Sequence, residues 1–151
     1  TIILITAAGG AFGGMLRETG MTETIREMIG GEAAQGVGMV MLCIGFGMAV
    51  VLKLALGSGT VVMITTAGMF GAMEVSPEML GFHPAYLAMA IGSGSSVGSW
   101  LNDSGFWLFS RMGGFTELET LKTWTLTLAI LGVASFGFTL LFAWLMPFTG
   151  V

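Results

Sequence analysis

The feature that most restricts this chain is where its charges are missing. Thr1–Leu16, Ala33–Leu52, Leu54–Met73 and Thr123–Val151 contain no Asp, Glu, Lys or Arg, and Met79–Asn102 adds only His83. A helix needs about 20 mostly apolar residues to cross the hydrocarbon core of a bilayer. Four of these stretches meet or exceed that length, and the first falls slightly short. Only 9% of the residues are charged, against about 25% in a soluble domain, too few to cover a water-exposed surface. Lipid or other apolar protein must therefore surround most of the chain, and the expected fold class is an all-α polytopic membrane protein.

The same inventory excludes several functions. The net charge of −4 and the five basic residues argue against nucleic acid, which calls for clustered Lys and Arg. Cys43 is alone, so neither an intramolecular disulfide nor a cysteine metal site can form. One histidine and no HExxH motif leave no catalytic constellation. Gly92-Ser-Gly-Ser-Ser-Val-Gly98 nearly matches GxGxxG. That fingerprint works only between a strand and a helix; here its last glycine is one position late and its flanks are apolar helix. The expectation is a protein that is not an enzyme and has no cofactor.

Within the single membrane domain 1–151, five segments can be drawn. Residues 1–18 form a first span, in which the pairs Gly9/Gly13 and Gly10/Gly14 would allow close helix approach; Thr6 marks it as a candidate substrate-facing helix. Residues 21–31 are too polar to span and read as an interfacial amphipathic helix, with Ile25, Met28 and Ile29 opposite Glu23, Arg26 and Glu27. Residues 33–73 are interrupted at Lys53–Thr60. They read either as two spans joined by a loop or as a re-entrant hairpin, the second being favoured because Gly57-Ser-Gly-Thr60 lacks the Asn, Asp and Pro of an aqueous loop. Residues 84–110 form a span broken by Gly92–Gly105. Residues 121–148 form the last span, with Trp124 and Trp144 near its ends as interfacial anchors.

The two polar interruptions carry the chemistry. Gly57–Thr60 offers two hydroxyls beside backbone amides, and Ser93–Ser104 offers hydroxyls, the Asn102 amide and the Asp103 carboxylate. Broken helices in membranes present free N–H and C=O groups to substrates and coupling ions. Serines and Asn102 could bond the hydroxyls of a hydroxy acid while helix N-termini meet its carboxylate. Asp103 is the one acidic side chain between Glu78 and Glu117, and an ionisable group within a span costs at least ~2.5 kcal/mol. It reads either as a proton or cation site or as a structural cap on a broken helix. Lys53 reads as a snorkelling side chain, as the neutraliser of a buried acid, or as a lure for an anion. His83, before Pro84, reads as a loop or capping residue.

These residues carry a resemblance. Ile5-Thr-Ala-Ala-Gly-Gly-Ala-Phe-Gly-Gly-Met-Leu-Arg-Glu-Thr-Gly20, Gly57-Ser-Gly-Thr60 and Ser99-Trp-Leu-Asn-Asp-Ser-Gly-Phe-Trp107 resemble the gluconate:proton symporter (gluconate permease) family. The segment order resembles the second repeat of the wider ion transporter superfamily. The resemblance implies one repeat of an inverted-repeat transporter, with a re-entrant hairpin and a discontinuous transmembrane helix. It implies a chain forming the C-terminal half of a longer protein, partnered by the N-terminal half, working as a homodimer in the inner (cytoplasmic) membrane. Carried over by position, Ser58, Gly59 and Thr60 form the hairpin tip, Ser93–Ser104 the helix break, and Met21–Gly31 an arm between scaffold and moving domain. Substrate contacts would come from Thr6, Ser58, Gly59, Thr60, Ser93, Gly94, Ser95, Ser96, Asn102 and Ser104, and proton coupling from Asp103. Dicarboxylate carriers of the superfamily show Ser-Asn-Thr at the tip. Gly59 removes that amide, which weakens any transfer of sodium coupling and fits a proton. The function implied is proton-coupled symport of gluconate or a related sugar acid. The alternative is a non-transport membrane subunit whose polar breaks serve helix packing.

Overall fold

The computed structural model describes residues 34–72, 75 and 80–148, together with the helical positions Ala11, Met15 and Glu18. Thr6, the rest of the 1–18 span and the 21–31 arm lie outside the described residues. Those described form helices and connections, with no strand among them. In chain order the helices are α1 (Ala34–Leu56), α2 (Gly59–Ala72), α3 (Ala85–Ser96), α4 (Ser104–Gly113), α5 (Glu117–Thr120) and α6 (Leu126–Leu145). A π-helical turn, Leu121–Thr125, joins α5 to α6 without a gap.

Two helical stretches are long and apolar enough to cross a membrane, Gly38–Leu56 and Glu117–Leu145. Their outward faces are apolar and bare. Leu126, Ile130, Leu131, Val133, Phe138, Leu141 and Trp144 are all exposed, a surface that water would not tolerate over this length. Cys43 lies on the exposed face of α1. The 14 described residues of α2 extend about 21 Å at 1.5 Å per residue.

The helices meet where glycines let backbones approach. In α1, Gly45 and Ala49 form a small-xxx-small pair facing α3: a Cβ on Gly45 would sit 3.0 Å from Leu87 and 3.5 Å from Ile91, and one on Gly94 would sit 2.8 Å from the Ala49 Cβ. Because lipid tails are as apolar as leucine, such close packing rather than the hydrophobic effect holds membrane helices together. The same Gly45 position lies 3.6 Å from Phe70. Since Gly45 and Phe70 are equally far from Gly57-Ser58, α1 and α2 fold back on each other as a hairpin. Leu42, Val62, Phe70, Leu87, Ala90 and Ile91 fill the core between α1, α2 and α3.

The long α5–π–α6 helix runs antiparallel to α3. Gly132 packs on Val97 and Ser93, Phe46 stacks on Phe136 at 4.1 Å, and Tyr86 donates to Met146 O at 2.7 Å. This helix begins at Glu117, not at residue 121, because Thr116 and Glu119 form a reciprocal capping box; it ends at Leu145 rather than 148. The Thr-x-x-Glu spacing was readable in the sequence. His83 accepts a hydrogen bond from Ala85 N–H through Nδ1 at 3.1 Å, helping to start α3.

Candidate functional site

The helix break is narrower than the sequence suggests. Ser93–Ser96 remain helical, and the chain leaves helix only at Val97, turning through Gly98 at φ +79° before α4 begins at Ser104. The serines stay in the helix because they bond its own carbonyls. Ser93 donates to Met89 O at 2.7 Å, and Ser95 and Ser96 donate to Gly92 O at 2.7 and 3.2 Å. Back-bonding to the preceding turn is the ordinary way a helix accommodates serine.

That placement divides the serines between faces. Ser93 and Ser96 line a cleft of about 300 Å³ against Leu131, Gly132 and Ser135 of α6. Gly94 packs on Phe46 and Ala49 of α1. Ser95 faces the hairpin, with its carbonyl 3.3 Å from where a Cβ on Gly59 would lie. Of the residues singled out in the sequence, Ser58, Gly59, Ser95, Asn102 and Asp103 therefore gather where the hairpin tip meets the break. Thr60, Asn102 and Ser104 are exposed there, while Ser93 and Ser96 look elsewhere.

Tip and break are bonded to each other. Helix α1 ends there, leaving carbonyls without intrahelical donors. The Asn102 amide donates to Leu54 O at 2.9 Å and Ala55 O at 3.4 Å, and the Trp100 indole donates to Leu54 O at 3.3 Å. Asn102 thus uses its side-chain nitrogen as a cap on α1. Asn102→Ala should weaken this joint by about 1 kcal/mol, the net worth of a neutral hydrogen bond. Proteolysis of the purified membrane protein within residues 54–60 should accelerate correspondingly; an unchanged cleavage rate would show that Trp100 alone suffices.

At the centre of the joint is an ion pair. Lys53 Nζ donates to Asp103 Oδ2 at 2.7 Å and to Gly57 O at 2.7 Å, and the two charged side chains are 5% and 13% exposed. Of the three readings open for Lys53, the geometry matches the neutraliser of a buried acid. Asp103 also caps α4, its Oδ1 accepting from Gly105 N–H at 2.9 Å, so the carboxylate does serve as a structural cap.

Ser99, which the sequence did not single out, connects this pair to the long helix. Fully buried, it donates to Asp103 Oδ2 at 2.5 Å, accepts from the Trp124 indole at 3.0 Å, and its carbonyl accepts from Thr125 Oγ1 at 2.5 Å. Both partners lie in the π turn, a feature often found at functional sites. A continuous chain of hydrogen bonds runs from Trp124 through Ser99, Asp103 and Lys53 to Gly57. The one available signal was the Ser99-x-x-x-Asp103 spacing. Among the described residues, no group of three or more His, Cys, Asp or Glu side chains is placed to hold a metal ion.

The profile of the GntP family permeases matches residues 1–145. The chain belongs to that family. It is 37% identical over 131 residues to the low-affinity gluconate transporter of Escherichia coli K12, covering 87% of this chain and 28% of the relative. It is 37% identical over 140 residues to the gluconate permease of Bacillus licheniformis, covering 93% and 30%. The Gnt-II system L-idonate transporter of Escherichia coli K12 is 37% identical over 134 residues, covering 87% and 28%. The chain thus spans under a third of the length of these curated relatives. No solved structure matches it. The family match runs through the two helices that are long and apolar enough to cross a membrane.

Proposed function

We propose that this chain is the C-terminal repeat of a multi-pass secondary transporter in the inner membrane, which carries gluconate or a related sugar acid together with a proton. One observation supports this above the others. Two polar interruptions in nearly uncharged apolar sequence meet around the buried Lys53–Asp103 pair. Packing alone does not call for a charge pair in lipid, where ionisable groups are costly and are retained for function. The similarity to proteins named for gluconate and L-idonate transport points to the same class of substrate.

In this reading α1 and α2 form a re-entrant hairpin, supported by the packing of its tip on the helix break, and α3–break–α4 is the discontinuous span. Carboxylate recognition falls to the N-terminus of α2 at Gly59 and Thr60. There a helix leaves its first N–H groups free and carries a positive partial charge. Thr60, Ser104 and the Asn102 carbonyl oxygen supply partners for the hydroxyls. The remaining contacts come from the rest of the polypeptide, including Thr6 and an N-terminal repeat, in a homodimer. The proton is held at Asp103, and the absence of an amide at Gly59 disfavours sodium.

The test is uptake of radiolabelled gluconate by proteoliposomes containing the complete permease under an inward proton gradient. Accumulation that collapses with a protonophore is the expected result. Absence of uptake for gluconate, idonate and other sugar acids alike would overturn the proposal.

A further inference from the structure

The Lys53–Asp103 pair has a consequence for how a proton and a carboxylate become obligatory companions. We infer that Lys53 is the exchangeable counter-charge of the site: protonation of Asp103 releases the ammonium, which then binds the substrate carboxylate in its place. This rests on the proposed sugar-acid symport and assigns its coupling to named atoms.

With the site empty, Lys53 ammonium and Asp103 carboxylate sum to zero, both nearly buried. With a proton on Asp103 and a carboxylate on Lys53, the sum is again zero. The two half-loaded states are unbalanced: a proton alone leaves a bare ammonium, and a substrate alone leaves two carboxylates around one ammonium. An unpaired charge in a low-dielectric interior costs several kcal/mol, so only the empty and the doubly loaded states are favourable. One proton per carboxylate follows from this balance.

The local geometry permits the exchange. Asp103 uses Oδ1 for the Gly105 N–H and Oδ2 for Lys53 and Ser99. A proton arriving on Oδ2 leaves Oδ1 as an acceptor, so α4 keeps its cap. The Ser99 hydroxyl can then reverse and accept from the new O–H, its other lone pair already holding the Trp124 indole N–H. Lys53 stays tethered to Gly57 O, which leaves donors of its ammonium for the incoming anion. Gly59 lies directly beside the pair. A Cβ there would lie 3.9 Å from Lys53 Nζ and 3.3 Å from Ser95 O, and the amides opening α2 would share the anion.

Among the described residues, no hydrogen bond or ion pair joins a further charged side chain to Lys53 or Asp103. Lys53 is the one charged side chain bonded to Asp103. Helices α2 and α6 carry no titratable residue. Tyr86 of α3 bonds Met146 O at the far end of that helix. Arg111, Glu117, Glu119 and Lys122 are exposed, with Glu119 occupied by Thr116.

The experiment measures proton uptake on gluconate binding to the purified complete permease, by calorimetry in buffers of different ionisation enthalpy. The wild type should take up one proton per gluconate. Asp103→Asn should bind gluconate with no proton uptake, and should exchange it across proteoliposomes without accumulating it. The double variant Lys53→Gln/Asp103→Asn strands no charge. Relative to Asp103→Asn it should lose roughly tenfold or more in affinity, the effect of removing a charged hydrogen bond. Proton uptake persisting in Asp103→Asn, or equal affinity in the single and double variants, would overturn the inference while leaving symport itself intact if the wild type still accumulates gluconate. A wild type that binds no sugar acid would instead remove the reading on which the inference rests.

Discussion

Lys53→Met should be the most damaging single substitution at the joint, lowering the stability of the purified permease by about 3–5 kcal/mol, the usual result of removing one member of a buried ion pair. Methionine matches the length of the lysine stem but donates nothing, so Asp103 is left as an uncompensated carboxylate at 13% exposure. Gly57 O loses its donor in the same step. Adding Asp103→Asn removes the stranded charge: its carbonyl oxygen still accepts from Gly105 N–H, and its amide nitrogen, in place of Oδ2, donates to a reoriented Ser99 hydroxyl. The double variant should therefore recover more than half of the lost stability, even though it carries two changes. Thermal unfolding in detergent without substrate reads this directly. If the double variant is no more stable than Lys53→Met, the pair is not coupled and the lysine acts only through Gly57.

Gly57→Ala should disable transport by more than about tenfold, through geometry rather than charge. Gly57 holds φ +75°, a conformation that costs an L-residue roughly 1–2 kcal/mol. A Cβ there would also overlap the Asn102 carbonyl, with the carbonyl carbon at 2.7 Å. The obstacle is backbone, which cannot rotate aside as a side chain would. The break must retreat from the tip, and this opens the Asn102 bonds to α1 and lengthens the Lys53–Asp103 contact. Gly137→Ala provides the comparison, because nothing lies within 4 Å of its Cβ position. Uptake by the two variants at matched membrane abundance separates the cases, and equal uptake would show that tip and break need not touch.

Much of this was legible in the sequence because it depends on local solvation. Uncharged stretches of spanning length identify the solvent as lipid. Glycine and serine within them identify where a helix stops or a neighbour comes close. Asp103 stands out because a lone carboxylate in such a stretch is costly. Other features were readable only with a bias. The serine run reads as one polar patch in one dimension, whereas successive helical residues point about 100° apart. The helix therefore distributes Ser93, Gly94, Ser95 and Ser96 among α6, α1 and the hairpin.

The sequence by itself determined a helical membrane chain with two polar breaks and a suspect carboxylate, because hydropathy and helix propensity act over a few neighbouring residues. Only the tertiary structure decided that the breaks are one site, that Lys53 across 50 positions is the partner of Asp103, that buried Ser99 links them to Trp124, and that Asn102 serves α1 as a cap. Those pairings are set by how closely glycine-bearing helix faces pack. Packing distance between helices follows from three-dimensional shape and leaves no periodic trace along the chain.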